Sequence, residues 1–497
     1  MTLISRILGF IRDVIIAHIF GAGTSTDAFL IAFKIPNFMR RLFAEGAFAQ
    51  AFTPVLSEYK TQRDTKEIKH LVDHVAGNLG GILFLITVIG VVLAPLLVLI
   101  FAPGFLQYED KYDLTVAMLQ ITFPYLLFIA LTAFAGAILN TYGQFGVPAF
   151  TPVLLNICLI GAAIWFTPYF DEPVMALAWA VFIAGFIQLG FQLPFLSRLG
   201  LVPIPRFKRR DEGVKRIYRL MIPALFGVSV SQINLLIDTL MASFLVTGSV
   251  SWLYYSDRLM EFPLAIFGLA LATVMLPDLS KSVARGDMQN YNNTLDWALR
   301  WVFIIGVPSM IGLIVLAGPM LTTLFNYGEF SDHDVMMTTQ SLIAYAAGLL
   351  GFVFIKVLAS GFFARQDTRT PVKIAVIAMA TNMVLNLIFI WHLAHAGLAL
   401  ATSLAALLNA GLLYRGLRQQ DVFQPQPGWH RLLLRITIAS VAMTLLLWWG
   451  SGSLSAWFSM SITERALHLF GWIIAGMGTY FIVLVISGLR LHHVTLK

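Results

Sequence analysis

The sequence predicts an all-α polytopic membrane protein with about 14 transmembrane helices, arranged as two pseudo-symmetric six-helix lobes plus two extra helices. Two observations support this prediction. Apolar residues make up 58% of the 497 residues and charged residues only 12%, whereas a soluble domain carries roughly 25% charged residues. The apolar runs are also long and lack strand alternation, so helices rather than a barrel satisfy the backbone groups within the bilayer.

Fourteen segments have the length and apolar content of a membrane-spanning helix, which needs about 20 residues. The first two carry several charged side chains. Arg12 and Asp13 break any apolar core of a signal peptide, so we expect the first segment to be a retained helix. In chain order the segments lie near residues 3–21, 27–55, 76–101, 114–140, 149–167, 174–196, 220–245, 252–276, 298–317, 338–362, 372–391, 397–414, 432–450 and 466–488.

The loops between these segments carry their positive charge on one side. If the amino terminus is cytoplasmic, the cytoplasmic loops hold 21 lysine and arginine residues, and the opposite loops hold only Lys111 and Arg465. Cytoplasmic loops of membrane proteins are enriched in these residues. The distribution therefore predicts an even number of spans with both termini in the cytoplasm.

A long charged connection divides the predicted spans into six, six and two. We predict an amino-terminal lobe at 1–196, a basic cytoplasmic linker at 197–219, a carboxyl-terminal lobe at 220–414 and two further spans at 415–497. Self-similarity at an offset of 225 residues, for example between Asp13 and Asp238, favours a repeat, although small residues also coincide by chance in such sequences. Parallel repeats of this kind bind substrate between their halves near the midplane.

Ionisable side chains within the predicted spans are concentrated in the first, second and eighth. A charge at the bilayer centre costs about 2.5–3.5 kcal/mol on insertion scales, so such residues usually face a watery cavity or a partner. The spacing of Lys34, Arg41 and Glu45 places them on one helix stripe. Arg258 and Glu261 are three residues apart and share a helix face. The candidates are Arg6, Arg12, Asp13, Asp27, Lys34, Arg40, Arg41 and Glu45, with Asp257, Arg258 and Glu261 in the eighth span and Lys356 in the tenth.

A cavity lined mainly by arginine favours anions, because guanidinium binds phosphate oxygens in a bidentate manner. The sequence therefore predicts a transporter for an anionic group such as a phosphate or diphosphate. Structural alternatives stay open. Arg40 and Arg41 can extend to a membrane surface, the charges of the eighth span can be a self-neutralising packing cluster, and Arg6 can be an ordinary positive-inside residue.

A second polar set, in the carboxyl-terminal half, consists of Asp238, Asn382, Asn386 and Thr402. Carboxylate, amide and hydroxyl oxygens suit a hard cation such as Na⁺. The alternative is a set of interhelical hydrogen bonds, worth about 0.6 kcal/mol each. The chain has one cysteine, Cys158, no HExxH and no GxxxxGK[ST] loop. We therefore expect no nucleotide and no cofactor other than this candidate Na⁺.

Several longer stretches are more specific than any single charge. "RILGFIRD", "FKIPNFMRRLFAEGAFAQAFTPVLSEY", "SVSWLYYSDRLMEFP" and "FFARQDTRTPVK" together resemble the MviN/MurJ family, the lipid II flippases of bacterial peptidoglycan synthesis, over essentially the whole chain. The family belongs to the multidrug/oligosaccharidyl-lipid/polysaccharide exporter superfamily. The resemblance implies two lobes around a cationic cavity, a groove for the lipid tail at the last two spans, and alternation between inward-open and outward-open states.

The resemblance also assigns roles to residues. Family-important charges correspond to Arg6, Arg12, Asp27, Arg40, Arg41 and Arg258, with Asp13 beside them and with Asn37 and Glu45 completing the motif. The set of Asp238, Asn382, Asn386 and Thr402 resembles a sodium site of some family members. Those members have a second carboxylate where this chain has Asn386, which leaves one formal charge.

The function implied is transport rather than catalysis. Lipid II, an undecaprenyl-diphosphate disaccharide-pentapeptide, would move from the inner to the outer leaflet of the bacterial cytoplasmic membrane by alternating access. We expect lipid II and membrane lipids as partners, other cell-wall synthesis proteins as further candidates, and no nucleic acid. The alternatives are an ion-coupled exporter of small molecules, a flippase for another lipid-linked polysaccharide, and a non-transporting scaffold for cell-wall enzymes.

Overall fold

The structure is a computed structural model that describes residues 2–42, 48–207, 212–264 and 269–489, without the side chains of residues 2–3, 223–235 and 269–274. Every long regular element in these ranges is a helix. The predicted all-α polytopic class is confirmed. Glu45 and the linker residues 208–211 lie outside the described residues.

The chain forms two compact units, Met1–Ser251 and Trp252–Lys497. In the first unit, α8 and α7 pack against α9, α2 packs against α6, and α10 packs against α3. An apolar core around Phe52, Val72 and Ile138 joins α3, α4 and α7 to the end of α9 and the start of α10. The helices are α1 (Thr2–Phe20), α2 (Thr24–Arg40), α3 (Ala49–Gln62), α4 (Thr65–Val92), α5 (Ala94–Phe101), α6 (Glu109–Thr122), α7 (Tyr125–Thr141), α8 (Gly146–Gly161), α9 (Met175–Arg198) and α10 (Glu212–Ser243).

The second unit begins within α11 and has its own packing. Its helix α16 packs against α17 and α12, and α18 packs against α13 and α20. Met443, Leu447 and Tyr480 are buried between α18 and α20. The helices are α11 (Ser249–Pro263), α12 (Leu269–Ala284), α13 (Met288–Val315), α14 (Ala317–Phe325), α15 (Asp332–Ala346), α16 (Leu349–Ala364), α17 (Arg369–Gln419), α18 (Trp429–Ser451), α19 (Leu454–Ser459) and α20 (Ile462–Ile486).

Each of the fourteen predicted segments overlaps one helix or two consecutive helices. In the described part of the chain, nine helical segments are long and apolar enough to cross a membrane. The helices are longer than hydropathy indicates. The third span was predicted from residue 76, yet α4 begins at Thr65, because the Asp64 side chain accepts the Glu67 N–H and caps a charged first turn. The lobe boundaries at 196, 219 and 414 stay a prediction.

Two predicted spans, 372–391 and 397–414, are two helices that meet at a kink within α17. Helix α17 runs from Arg369 to Gln419, with a single non-helical residue, Ala394, at φ 47°. A non-glycine residue rarely adopts positive φ, because its Cβ crowds the following carbonyl. The change of direction between the eleventh and twelfth spans is therefore concentrated at one residue, where the sequence predicted a loop.

Proline frees helix carbonyls that other helices then bind. Pro36 in α2 has no N–H for the Ala32 carbonyl, and Thr122 of α6 donates its hydroxyl to that oxygen at 2.9 Å. Pro308 in α13 leaves the Ile304 carbonyl free in the same way, and the Tyr480 hydroxyl of α20 donates to it at 2.8 Å. These hydrogen bonds join α2 to α6 and α13 to α20 at carbonyls that the prolines leave without a helical N–H partner.

Candidate functional site

A buried arginine lies in the first helix and is held from two directions. The Arg12 guanidinium donates through Nε to Asp13 Oδ1 at 2.9 Å and through a terminal nitrogen to Asn156 Oδ1 at 3.1 Å. Asn156 in α8 also donates to the Ser5 carbonyl at 3.1 Å. Arg12 is 8% exposed and Asp13 3%. The α1–α8 contact therefore orients this cation in advance. Arg6, one helical turn and a half earlier, is exposed.

Asp27 at the start of α2 accepts four hydrogen bonds. Its Oδ2 accepts from Lys111 Nζ at 2.7 Å and from the Gly248 N–H at 2.8 Å. Its Oδ1 accepts from the Ser251 N–H at 2.9 Å and the Ser251 hydroxyl at 2.6 Å. We call Asp27, Lys111, Gly248 and Ser251 the Asp27 network. The carboxylate lies at the first turn of α11, where free N–H groups and the helix dipole stabilise a negative charge.

Lys111 was missed as a site residue. The sequence placed it in an outer loop, yet its side chain is 3% exposed and lies over the Phe105 ring, 4.2 Å from the centroid. The only signal in the sequence was indirect: a carboxylate buried as deeply as Asp27 needs a cation or several donors. Spacing along the chain did not indicate whether Asp27 pairs with a cation or with several hydrogen-bond donors.

The polar stripe of the second span lies at the end of α2. Asn37 donates to the Phe33 carbonyl at 3.0 Å, and Arg40 Nε donates to Asn37 Oδ1 at 3.2 Å. Lys34 and Arg40 are half-buried and Arg41 is exposed. The structure therefore places three cations and an amide within two turns of the proline-containing helix. Their role in substrate binding stays a prediction.

In the second unit, Arg258 and Glu261 form the ion pair that their spacing predicts. The distance from an Arg258 terminal nitrogen to Glu261 Oε2 is 2.9 Å, and the side chains are 38% and 51% exposed. The Arg258 guanidinium also lies over the Tyr254 ring, 4.9 Å from the centroid. With over a third of its side-chain surface open, Arg258 is accessible to a ligand.

Three members of the predicted sodium set are bonded to one another. Asn386 donates to Asn382 Oδ1 at 2.8 Å, and Asn382 donates to Thr402 Oγ1 at 3.0 Å. The fourth, Asp238, is half-buried on α10 of the first unit. Among the residues that the structure describes, no group of three or more His, Cys, Asp or Glu side chains is arranged to hold a metal ion. Sodium binding by these residues stays a prediction.

Comparison with known proteins identifies the family. The family model for "Lipid II flippase MurJ" matches residues 16–468. A Vibrio cholerae protein named "Probable lipid II flippase MurJ" is 49% identical over 99% of this chain and 95% of its own length. A Burkholderia cenocepacia protein named "Lipid II flippase MurJ" is 45% identical over 90% of this chain and 88% of its own. The chain belongs to the MurJ family. The members named here are transporters rather than enzymes.

Solved structures agree with this assignment. A MurJ structure described as "inward closed conformation" matches with a TM-score of 0.82 and 28% identity, over 98% of this chain and 97% of that one. An inward-facing MATE family transporter of the MOP superfamily matches with a TM-score of 0.68 at 15% identity, over 84% of this chain and 95% of that one. The second match shows a shared fold only. The MurJ match covers both units of this chain.

Proposed function

We propose that this protein moves lipid II from the inner to the outer leaflet of the bacterial cytoplasmic membrane. The observation that carries the proposal is the buried Arg12, oriented by Asp13 and Asn156 within an apolar unit of a MurJ-family chain. A buried charge that is held in position costs free energy, and it is usually retained for a task. Binding a diphosphate is the task that guanidinium chemistry suits best.

The cationic candidates supply the headgroup contacts in this proposal. Arg12, Arg40 and Arg258 each donate a hydrogen bond to a neighbouring side chain. Arginine has five N–H donors in a planar arrangement that matches the oxygens of a phosphate. Asp13 and Glu261 limit the net positive charge, which favours release of the anion after transport. The lipid tail stays in the bilayer or in a groove at the last two spans.

Opening toward the outer leaflet is proposed to break the Asp27 network. The network joins the first turn of α2 to the first turns of α6 and α11 through Lys111, Gly248 and Ser251. In the orientation that the loop charges predict, with both termini in the cytoplasm, this end faces outward. Its bonds can only be exchanged for water when these helix ends separate, so the network stabilises the outward-closed state.

The energy source is proposed to lie outside the chain. Moving one charge across the membrane potential is worth about 2.3 kcal/mol per 100 mV, and consumption of lipid II at the outer leaflet removes the product. Sodium coupling through Asp238, Asn382, Asn386 and Thr402 is a further part of the proposal. Replacement of Asp238 by Asn should then abolish any sodium dependence of transport.

Transport by the purified protein tests this function. Fluorescent lipid II is reconstituted into liposomes with the protein, and a membrane-impermeant quencher reports which headgroups face outside. We expect rapid exchange between leaflets with the protein and slow exchange in protein-free liposomes, since the headgroup cannot cross roughly 30 Å of hydrocarbon unaided. Exchange no faster than in liposomes with an unrelated membrane protein would overturn the proposal.

A further inference from the structure

A short connection follows the sixth predicted span and another follows the twelfth, and both contain a Pro-X-Pro sequence. Residues 201–207, the first strap, contain Pro203-Ile204-Pro205, and residues 422–428, the second strap, contain Pro425-Gln426-Pro427. Each strap leaves its helix through a residue of positive φ, Gly200 at 68° and Asp421 at 53°. The first strap follows α9, and the second leads from α17 to α18.

The Pro-X-Pro sequence leaves one backbone donor in three residues. Proline has no N–H, and a residue before proline is confined to extended conformations. In the first strap this donor is the Ile204 N–H, which binds Asp73 Oδ1 of α4 at 2.8 Å. In the second strap it is the Gln426 N–H, which binds Asp296 Oδ1 of α13 at 3.0 Å. Each Pro-X-Pro sequence therefore uses its one backbone donor on a carboxylate.

The two carboxylates occupy equivalent places. Helices α4 and α13 are both 28 residues long and both begin after an aspartate N-cap, Asp64 and Asp287. Asp73 and Asp296 each follow their N-cap by nine residues, and each is 3% exposed. Such correspondence in helix length, cap, buried acid and strap is not expected by chance. It marks an internal repeat at an offset of 223 residues, close to the offset of 225 that the sequence indicated.

The remaining partners of each acid come from its own helix, from its strap or, for Asp296, from the first residue of the helix that follows the strap. Asp73 bonds to Lys69 and lies 4.0 Å from Arg206 Nε, while its carbonyl accepts the Arg206 N–H at 3.1 Å. Asp296 accepts from Arg300 Nε at 2.6 Å and from Trp429 Nε1 at 2.7 Å. A buried carboxylate costs several kcal/mol unless it is paired and hydrogen-bonded. Each acid therefore receives one backbone hydrogen bond from its strap in addition to its side-chain partners.

The two copies of the repeat differ at one position that contacts the strap in each case. Gly77 of α4 lies against the first strap so closely that a Cβ there would be 2.3 Å from the Arg206 carbonyl oxygen. The position 223 residues later is Arg300, which donates to the Pro427 carbonyl at 3.0 Å and lies over the Trp429 ring. The first strap packs directly on the helix backbone, and the second is held through an arginine side chain.

We propose that the straps are a repeated positioning device, in which Asp73 holds the chain that follows α9 and Asp296 holds the chain that enters α18. Helix α10 packs against α3 in the first unit, and α18 packs against α13 and α20 in the second. A strap released from its aspartate would let the following helix shift relative to these neighbours. Asp73 and Asp296 act through the strap and not on the substrate, and their part in transport rests on the proposed function.

The first strap is tested by a pair of glycine substitutions in α4. Gly77→Ala places a methyl group against the Arg206 backbone, whereas Gly80→Ala meets nothing within 4 Å. Alanine favours the helix at both positions. We expect Gly77→Ala to raise hydrogen–deuterium exchange in residues 199–207 at least about tenfold, equivalent to about 1.4 kcal/mol, and Gly80→Ala to leave it unchanged. Equal exchange in the two full-length variants would overturn the proposal.

Both straps are tested again without altering a helix. Ile204→Ala and Gln426→Ala remove the side chain and are the controls. Ile204→Pro and Gln426→Pro also remove the backbone N–H that binds the aspartate. Proline suits the extended backbone before another proline. We expect at least about tenfold faster exchange at Leu201 and Val202 in the first strap and at Gln424 in the second for the proline variants. Exchange equal to that of the alanine variants would show that the bonds to Asp73 and Asp296 do not hold the straps.

Transport of fluorescent lipid II separates positioning from mere local order. We expect the proline variants and Gly77→Ala to transport several-fold more slowly than their matched controls at equal amounts of folded protein. Loosened straps with control rates of transport would overturn the positioning role. If the unaltered protein does not transport lipid II, the proposed function fails, and the exchange measurements still decide whether the two straps are held as described.

Discussion

Lys111 and Asp27 form an ion pair with almost no access to solvent. The distance from Lys111 Nζ to Asp27 Oδ2 is 2.7 Å, and the side chains are 3% and 1% exposed. Removing one partner of a buried pair leaves an uncompensated charge, which costs more than the pair itself contributes. The stability of the first unit therefore depends on this pair, and so on an intact Asp27 network.

Lys111→Met should destabilise the protein by about 3–5 kcal/mol, because Asp27 would stay buried without a cation. Replacing both residues, as Asp27→Asn with Lys111→Met, should cost less than the sum of the two single substitutions. Denaturation of the detergent-solubilised protein measures both effects. Lys66→Met, at an exposed lysine, is the control and should change stability by less than about 0.5 kcal/mol. A Lys111 variant as stable as this control would contradict the assignment.

Asp27 and Lys111 also show what the sequence predicted and what it did not. Hydropathy identified Asp27 as a charge in an apolar segment and placed Lys111 in an outer loop. Each residue was assessed by its neighbours in the chain, but the two are 84 positions apart. The pairing arises from tertiary contact between α2 and α6, which one sequence does not encode in any local pattern.

Thr122→Val should destabilise the first unit by about 1–3 kcal/mol, since the Ala32 carbonyl would lose its one donor from outside α2. Adding Pro36→Ala should restore most of this loss, because alanine supplies the N–H that proline lacks. Thr132→Val is a matched control, because the Thr132 hydroxyl binds the Phe128 carbonyl of its own helix at 2.7 Å. Thermal melting compares the unaltered protein, Thr122→Val, Thr122→Val with Pro36→Ala, and Thr132→Val. Absence of rescue by Pro36→Ala would refute the role given to the hydrogen bond between Thr122 and the Ala32 carbonyl.

Tyr480→Phe should loosen α20 from α13. The lost hydroxyl leaves the Ile304 carbonyl unsatisfied at a buried position, at a cost of about 1–3 kcal/mol. Pro308→Ala should restore stability by returning the helical N–H. Amide exchange in residues 462–486 measures how firmly the last helix is held. No increase in exchange in Tyr480→Phe would show that packing alone holds this helix.

The sequence predicted helices well and their ends poorly. Each of the fourteen apolar segments overlaps a described helix, because spanning helices must satisfy their backbone groups internally, and nine helical segments of the described chain are long and apolar enough to cross a membrane. It did not show that α4 begins at Thr65, or that α17 turns at Ala394 without a loop. No local pattern identifies Asp73 and Asp296, although a Pro-X-Pro sequence occurs twice in the chain, as Pro-Ile-Pro and Pro-Gln-Pro. That recurrence was the available signal, and only the contacts show why it matters.

Arg258→Ala should reduce lipid II transport roughly ten- to a hundredfold, because a hydrogen bond to a charged group contributes about 1.5–3 kcal/mol. Arg63→Ala is the matched control, since Arg63 forms a similarly exposed ion pair with Glu67 four residues later. The control should transport at the rate of the unaltered protein. Both variants are compared in liposomes with fluorescent lipid II. Full transport by Arg258→Ala would make this arginine a packing partner of Glu261 and Tyr254 alone.

The most direct test of the account is performed in bacterial cells whose own lipid II flippase has been depleted. The measured quantity is the fraction of lipid II headgroups accessible at the outer leaflet. We expect this fraction to fall on depletion, to return when this chain is supplied, and to stay low with Arg12→Ala at equal protein levels. Headgroup exposure that is unchanged by depletion, or fully restored by Arg12→Ala, would contradict the claim that Arg12 binds the diphosphate while lipid II crosses the membrane.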